Sequence, residues 1–276
     1  MRYYEIINEG VVLNGAKQIA AYAITVAEAF DRAPKHDPAA EKIWQALANH
    51  NRNVMFKKIA SDGIKIIWEP GDAYGAETDD PMMMCRYMLW DMCVNHRLRV
   101  FSGNSDTHTV FSPEDNVIFR TVHDYFAHGK LRAAFKKQSD KIQNRKPTPE
   151  ELKAILPTIS LSHAGNIGHG FNLRGEMNAY VTHTKLVPPS VAPALFTEVV
   201  GQACYQTIVQ EFPGDKVALL SDFDFKNVGK MRPGSISAKR FAEILANWDT
   251  SPVIQTSIRA KPEVVLADVL RTVSSR

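Results

Sequence analysis

Apolar positions recur along most of this chain at helical spacing, broken by two short stretches of strand character. Residues 15–33 place Ile19, Ala23, Val26 and Phe30 on one face, the mark of an amphipathic helix. The segment DPAAEKIWQALANH predicts a second helix, with Asp37 as N-cap and Pro38 at the first helical position. IKIIWEP is short, β-branched and stopped by Pro70, and LRVFSG has the same character, so each predicts a strand. Between them DDPMMMCRYMLWDMCVNHR predicts a helix that starts near Pro81 and uses its methionines as core filling. Residues 104–116 read as loop, and the helix carrying FRTVHDYFAHGK follows. Residues 136–158 form a basic, proline-containing surface insertion whose charges face water. Within it Thr148, Pro149 and Glu151 predict a capped short helix. GEMNAYVTHTKLV and PALFTEVVGQACYQTIVQEF predict two more helices, and SAKRFAEILANW and KPEVVLADVLRTV a final pair. No repeat and no linker divides the pattern. The prediction is a single domain over 1–276, mainly α (α+β with a minor sheet), with 116–206 as the core of a metal site between helices.

Composition changes this picture little. Hydrophobic residues make up 45% of the 276, enough for a sizeable core, and a net charge of +3 is too small to argue for nucleic acid. No apolar run approaches the roughly 20 residues that cross a bilayer. MRYYEIINEG lacks the apolar core of a signal peptide. The expectation is a cytoplasmic protein with no membrane partner. Cys85, Cys93 and Cys204 form no C-x-x-C pair, so they are expected as free thiols, and any metal falls to histidine and carboxylate.

Candidate chemistry concentrates in three helical segments. The first carries His123, Asp124 and His128, the second Glu176 and His183, the third Glu198 with Gln202 one turn on. Glu176 and His183 lie nearly in line on their helix, and Glu198 and Gln202 share a face. The two histidines of HDYFAH diverge by about 140° on a regular helix, so both reach one metal only where the helix ends or bends, and Gly129, directly after His128, is the expected end. Two histidines and one carboxylate leave iron with positions open for oxygen and substrate. The same ligands with a water suit zinc hydrolysis. A carboxylate-bridged pair of metals is a third arrangement, although the E-x-x-H spacing usual in helical bundles is missing. Asp124 is expected to orient a histidine. The glycine-rich loop LSHAGNIGHGFNLRGE is not a P-loop, since no G-K-[ST] follows. It returns the chain to the site, with His163 and His169 facing solvent or substrate.

The segment VHDYFAHG resembles the iron-binding segment of pterin-dependent aromatic amino acid hydroxylases. That resemblance implies Fe(II) on His123 and His128, completed by a later glutamate. FTEVVG is similar to that family's T-x-E-x-G, which points to Glu198. Here Thr197 directly precedes Glu198, Ala127 stands where a glycine is usual, and no residues of a pterin site can be matched. A longer pattern, NVIFRTVHDYFAHG, RGEMNAYVTH and TEVVGQACY, resembles a family of poorly characterised tailed-bacteriophage proteins over residues 116–206. It implies a phage origin, hence the host cell cytoplasm, and brings no known activity. Arg120, Asn178 and Gln202 belong to the shared pattern and are expected to steady ligands or touch substrate.

The leading expectation is a mononuclear non-haem Fe(II) hydroxylase or oxygenase. His123, His128 and Glu198 would bind the metal, and Glu176, His183 and Asp124 would serve catalysis and proton transfer. The alternative is a zinc hydrolase on His123, His128 and either His183 or Glu198, with Glu176 as general base. A phage virion or host-interaction protein with a structural polar cluster is the non-enzymatic reading. The expected partner is a small-molecule or nucleotide substrate, and a homo-oligomer is compatible with the pattern.

Overall fold

The computed structural model describes residues 15–78, 80–139, 145–157, 173–209 and 212–220. The two helices expected near the C-terminus, and the glycine-rich loop with His163 and His169, lie outside the described residues. The elements are α1 (Gly15–Arg32), α2 (Glu41–His50), α3 (Lys57–Ser61), β1 (Lys65–Glu69), α4 (Pro81–Val94) and β2 (Arg97–Phe101). They continue with α5 (Pro113–Phe126), α6 (Arg132–Lys136), α7 (Pro149–Ile155), α8 (Leu173–Thr184), α9 (Ala192–Leu195) and α10 (Gln202–Val209). The fold is mainly α with a minor sheet, as the periodicity predicts. β1 and β2 pair in parallel with Lys65 opposite Arg97 and Glu69 opposite Phe101. Parallel neighbours need a crossover, and α4 supplies it.

Local chemistry explains most boundaries. Asp80 caps α4 by accepting from Met82 N at 2.9 Å, with Pro81 at the first helical position. Thr148 and Glu151 form the full reciprocal capping box of α7. That helix buries Leu152 and Ile155, so part of the basic insertion packs inward. The expected cap at Asp37 is a correction. Its side chain accepts from Ala39 N within a turn, and α2 starts only at Glu41. The reason is backbone pairing: Asp37 N donates to Val217 O and Val217 N to Lys35 O, which holds 35–37 extended.

Two helices are interrupted by a π-helical turn, Asn51–Phe56 between α2 and α3, and Phe196–Gly201 between α9 and α10. Such turns often mark functional positions, and the second carries Glu198.

The buried apolar residues form two clusters. The first joins α1, α2 and α8–α10 around Phe30, Trp44, Tyr180 and Phe196. The second joins α3, α4, β2, α6 and α7, with Met83, Met84, Met88 and Met92 as filling. α5 belongs to both: Phe119 packs in the first, and Val117, Ile118, Val122 and Tyr125 in the second. The second cluster surrounds a buried acid. Asp91 is fully buried and receives Arg97 Nε at 2.9 Å, Arg99 Nε at 3.0 Å and Asn95 Nδ2 at 2.7 Å. A buried carboxylate is tolerable only when paired in this way, and the pairing ties α4 to β2. All three cysteines are free. Among the described residues no helix is long and apolar enough to cross a membrane.

Candidate metal centre

The seam between the two clusters holds the site, and α5 presents its first residue. Ser112 caps α5 by accepting from Asp115 N at 3.1 Å, and Pro113 opens the helix. Asp115 is held by Arg52 at 2.6 Å, which anchors the start of α5 to the turn after α2. At the other end the α-helix stops at Phe126 and continues as a 3₁₀ turn, His128–Leu131. Arg132 Nη1 donates to Gly129 O at 3.1 Å and also to Tyr125 O, satisfying carbonyls that the helix end leaves open. The change of winding falls between the two histidines and removes the divergence that a regular helix would impose. Close packing rather than a left-handed conformation favours Gly129. A Cβ there would stand 2.8 Å from Arg132 Nη1 and 2.9 Å from the Met92 methyl, both ends of side chains that can move, and 3.2 Å from the Asp124 carbonyl oxygen.

The result is convergence of three side chains. His123 Nε2 lies 2.9 Å from His128 Nε2 and 3.1 Å from Glu176 Oε2, and His128 Nε2 lies 3.4 Å from Glu176 Oε1. All three residues are buried, and together they could hold a metal ion. Glu176 comes from the first turn of α8. Burial alone would raise its carboxyl. The charge of His128 and hydrogen bonds from both rings outweigh that and hold it well below the usual carboxylate range. The carboxylate that meets the histidines is thus Glu176, where sequence resemblance favours Glu198.

The other expected residues take different places. His183 does not pair with Glu176. Its ring packs against Phe119 and His123, with centroids 5.7 and 5.8 Å away. It is fully buried, and among the described residues neither ring nitrogen has a hydrogen-bond partner. Burial first, then His123 and His50, hold it well below its ordinary value. His123 Nδ1 is likewise buried and without a partner among the described residues. Asp124, expected to orient a histidine, makes no hydrogen bond to either ring. It sits deep, partly open to a cavity, and burial raises its carboxyl against the pull of His128 and His123. Asn178 is partly buried on α8 and stands outside the cavity wall.

That cavity, about 430 Å³, is lined by the three converging residues at one side and by Asp124, Glu198 and Gln202 among others. Gln202 Nε2 donates to Glu198 Oε2 at 3.0 Å and to Asp215 Oδ1 at 3.4 Å, so one amide bridges two carboxylates. Burial, then the charge of Asp215, push Glu198 up to about 8, with Arg120 and Gln202 offsetting only part. Arg120 donates to the carbonyls of Gly103 at 2.6 Å and Phe101 at 3.3 Å, and lies over the Phe101 ring. Asp215 is the residue that sequence reading misses. It sits in a short irregular segment with no periodicity, and only its place after the Glu198 helix marks it.

Comparison with family models, curated proteins and solved structures gives no match. The functional reading therefore rests on the site.

Proposed function

We propose that the chain is a mononuclear non-haem Fe(II) enzyme of phage origin, an O₂-dependent hydroxylase or oxygenase. His123, His128 and Glu176 form its 2-His-1-carboxylate set. The observation that carries this reading is the short approach of three ligand atoms from three different backbone contexts. Two imidazoles and one carboxylate would hold the metal and leave further positions for oxygen and substrate, a donor set that suits non-haem iron. When bound, the iron would supply the activation of oxygen.

The residues around it divide the remaining work. Glu176, held ionised, contributes the negative charge. The buried rings of Phe119 and His183 back the imidazole of His123 and keep water from that side. Glu198 keeps its proton at neutral pH and faces the cavity, which suits it to hand a proton to a bound molecule.

Elemental analysis of anaerobically purified protein tests the reading. Iron near one per chain, abolished by His123→Ala, is expected. Zinc at the same stoichiometry would move the protein to a metal-dependent hydrolase with the same ligands. No metal after reconstitution would remove both.

A further inference from the structure

We propose that the cavity receives a small molecule bearing a protonated amine. Asp124 and the Glu198–Asp215 pair take the amine, and the rest of the molecule faces the His123–His128–Glu176 group. The inference uses the metal-site reading only to say which end of the cavity is reactive.

Charge and hydrogen-bond accounting lead there. Beyond the converging three, the charged lining among the described residues is Asp72, Asp124, Glu198, Asp215, Arg99 and Arg120. Both guanidiniums already face other groups. Arg99 pairs through Nε with Asp91 at 3.0 Å, has Nη2 3.9 Å from Glu77 and lies over the Tyr74 ring, so two acids offset its charge. Arg120 gives its Nη groups to the Phe101, Gly103 and Asn104 carbonyls and presents no free planar fork to phosphate or carboxylate.

The acids are the reverse case. Asp124 lies deep in the wall and makes no hydrogen bond among the described residues. Asp72 also lines the cavity, and its buried Oδ2 has no partner among the described residues, although Oδ1 accepts from Tyr74 N and Gly75 N. Glu198, buried to nine-tenths, accepts from Gln202 alone among the described residues. Buried carboxylate oxygens without donors are costly. A ligand ammonium brings three N–H donors and a positive charge to a place where both are short. An anionic ligand would instead add like charge to Asp72, Asp124 and the proton-sharing Glu198–Asp215 pair, where both arginines already face other partners. A cavity of about 430 Å³ is of the size that encloses a small molecule. The chemistry thus favours an amine over a nucleotide.

Calorimetric titration with a matched set of probes tests this: n-butylamine, 1,4-diaminobutane, n-butanol, butyrate and butyl phosphate at pH 7. The full chain is used, both loaded with zinc and metal-free. The amines are expected to bind at least tenfold more tightly than butyrate or butyl phosphate. Asp124→Asn should reduce amine affinity at least tenfold, with Asp215→Asn as a second variant should the first fold poorly. Metal content is measured on every sample. Preference for amine in protein that binds no metal keeps this inference while removing the metal reading. Equal binding across the set, tighter binding of the anions, or unchanged affinity in both variants overturns it.

Discussion

The cavity has two acidic walls built from the same side-chain chemistry and put to opposite use. On one, Glu176 stands between two imidazoles and is held ionised. On the other, Glu198 stands near Asp215, shares one amide with it and is pushed up to about 8. Both carboxylates are buried. The difference lies in what burial is set against. Two rings that can share positive charge overcome desolvation, whereas a second acid reinforces it. One wall is ready for a cation of fixed geometry, and the other keeps a proton that can be given away.

Exchanging the walls by mutation would break this comparison most directly. Glu176→Ala should lower metal affinity at least a hundredfold, while Glu198→Gln should leave it within about tenfold. Titration with Co(II), followed by its visible spectrum, measures both. The reverse ranking would make Glu198 the ligand.

The second prediction concerns pH. In the unfolded chain Glu198 loses its proton near its ordinary 4.5, while the folded chain keeps it to about 8. Proton binding to the folded state therefore adds stability in full below about pH 4.5. That stability is lost as pH rises through about 8. In metal-free protein Glu198→Gln should remove a fall on the order of 3 kcal/mol across that window. Denaturant unfolding at pH 5 and pH 8 reads it, and parallel curves for the two proteins would contradict it.

Gly129→Ala places a methyl against Arg132 and Met92. Overpacking of this kind costs about 1–3 kcal/mol. Because the 3₁₀ turn carries His128, metal affinity should fall as well. A loss of stability without a loss of affinity would show that the turn yields elsewhere.

The smallest effect is expected from His183→Phe. Removing a fully buried imidazole that has no partner among the described residues should leave stability unchanged or raise it by about 1 kcal/mol. A clear fall in melting temperature would show that the ring has a bridging water, with His123 Nδ1 as the natural other end.

Much of the scaffold was legible in the sequence because it depends on nearest neighbours. The period of α1, the helix start near Pro81, the cap at Thr148 and the β-branched runs of β1 and β2 are all local signals, and each element forms. The late start of α2 was not legible, since it is set by Val217, far along the chain. The site divides in the same way. His123 and His128 sit in one short segment, and the need for the helix to end or bend follows from residue spacing alone. The structure places that end at Phe126, before His128. Which glutamate joins them is a matter of how α8 and the π-helical turn lie against α5, and no spacing carries that. Asp215 is invisible for the same reason: its role comes from standing opposite Gln202.

α5 contributes side chains to both hydrophobic clusters, and Glu176 arrives from a helix of the first. An ion gripped by His123, His128 and Glu176 would act as a rivet through two plates. Its binding energy would be spent on holding one half of the described fold against the other, so the loaded chain should melt as one body. Without the rivet the plates could part along α5, and calorimetry of metal-free protein should then resolve two transitions.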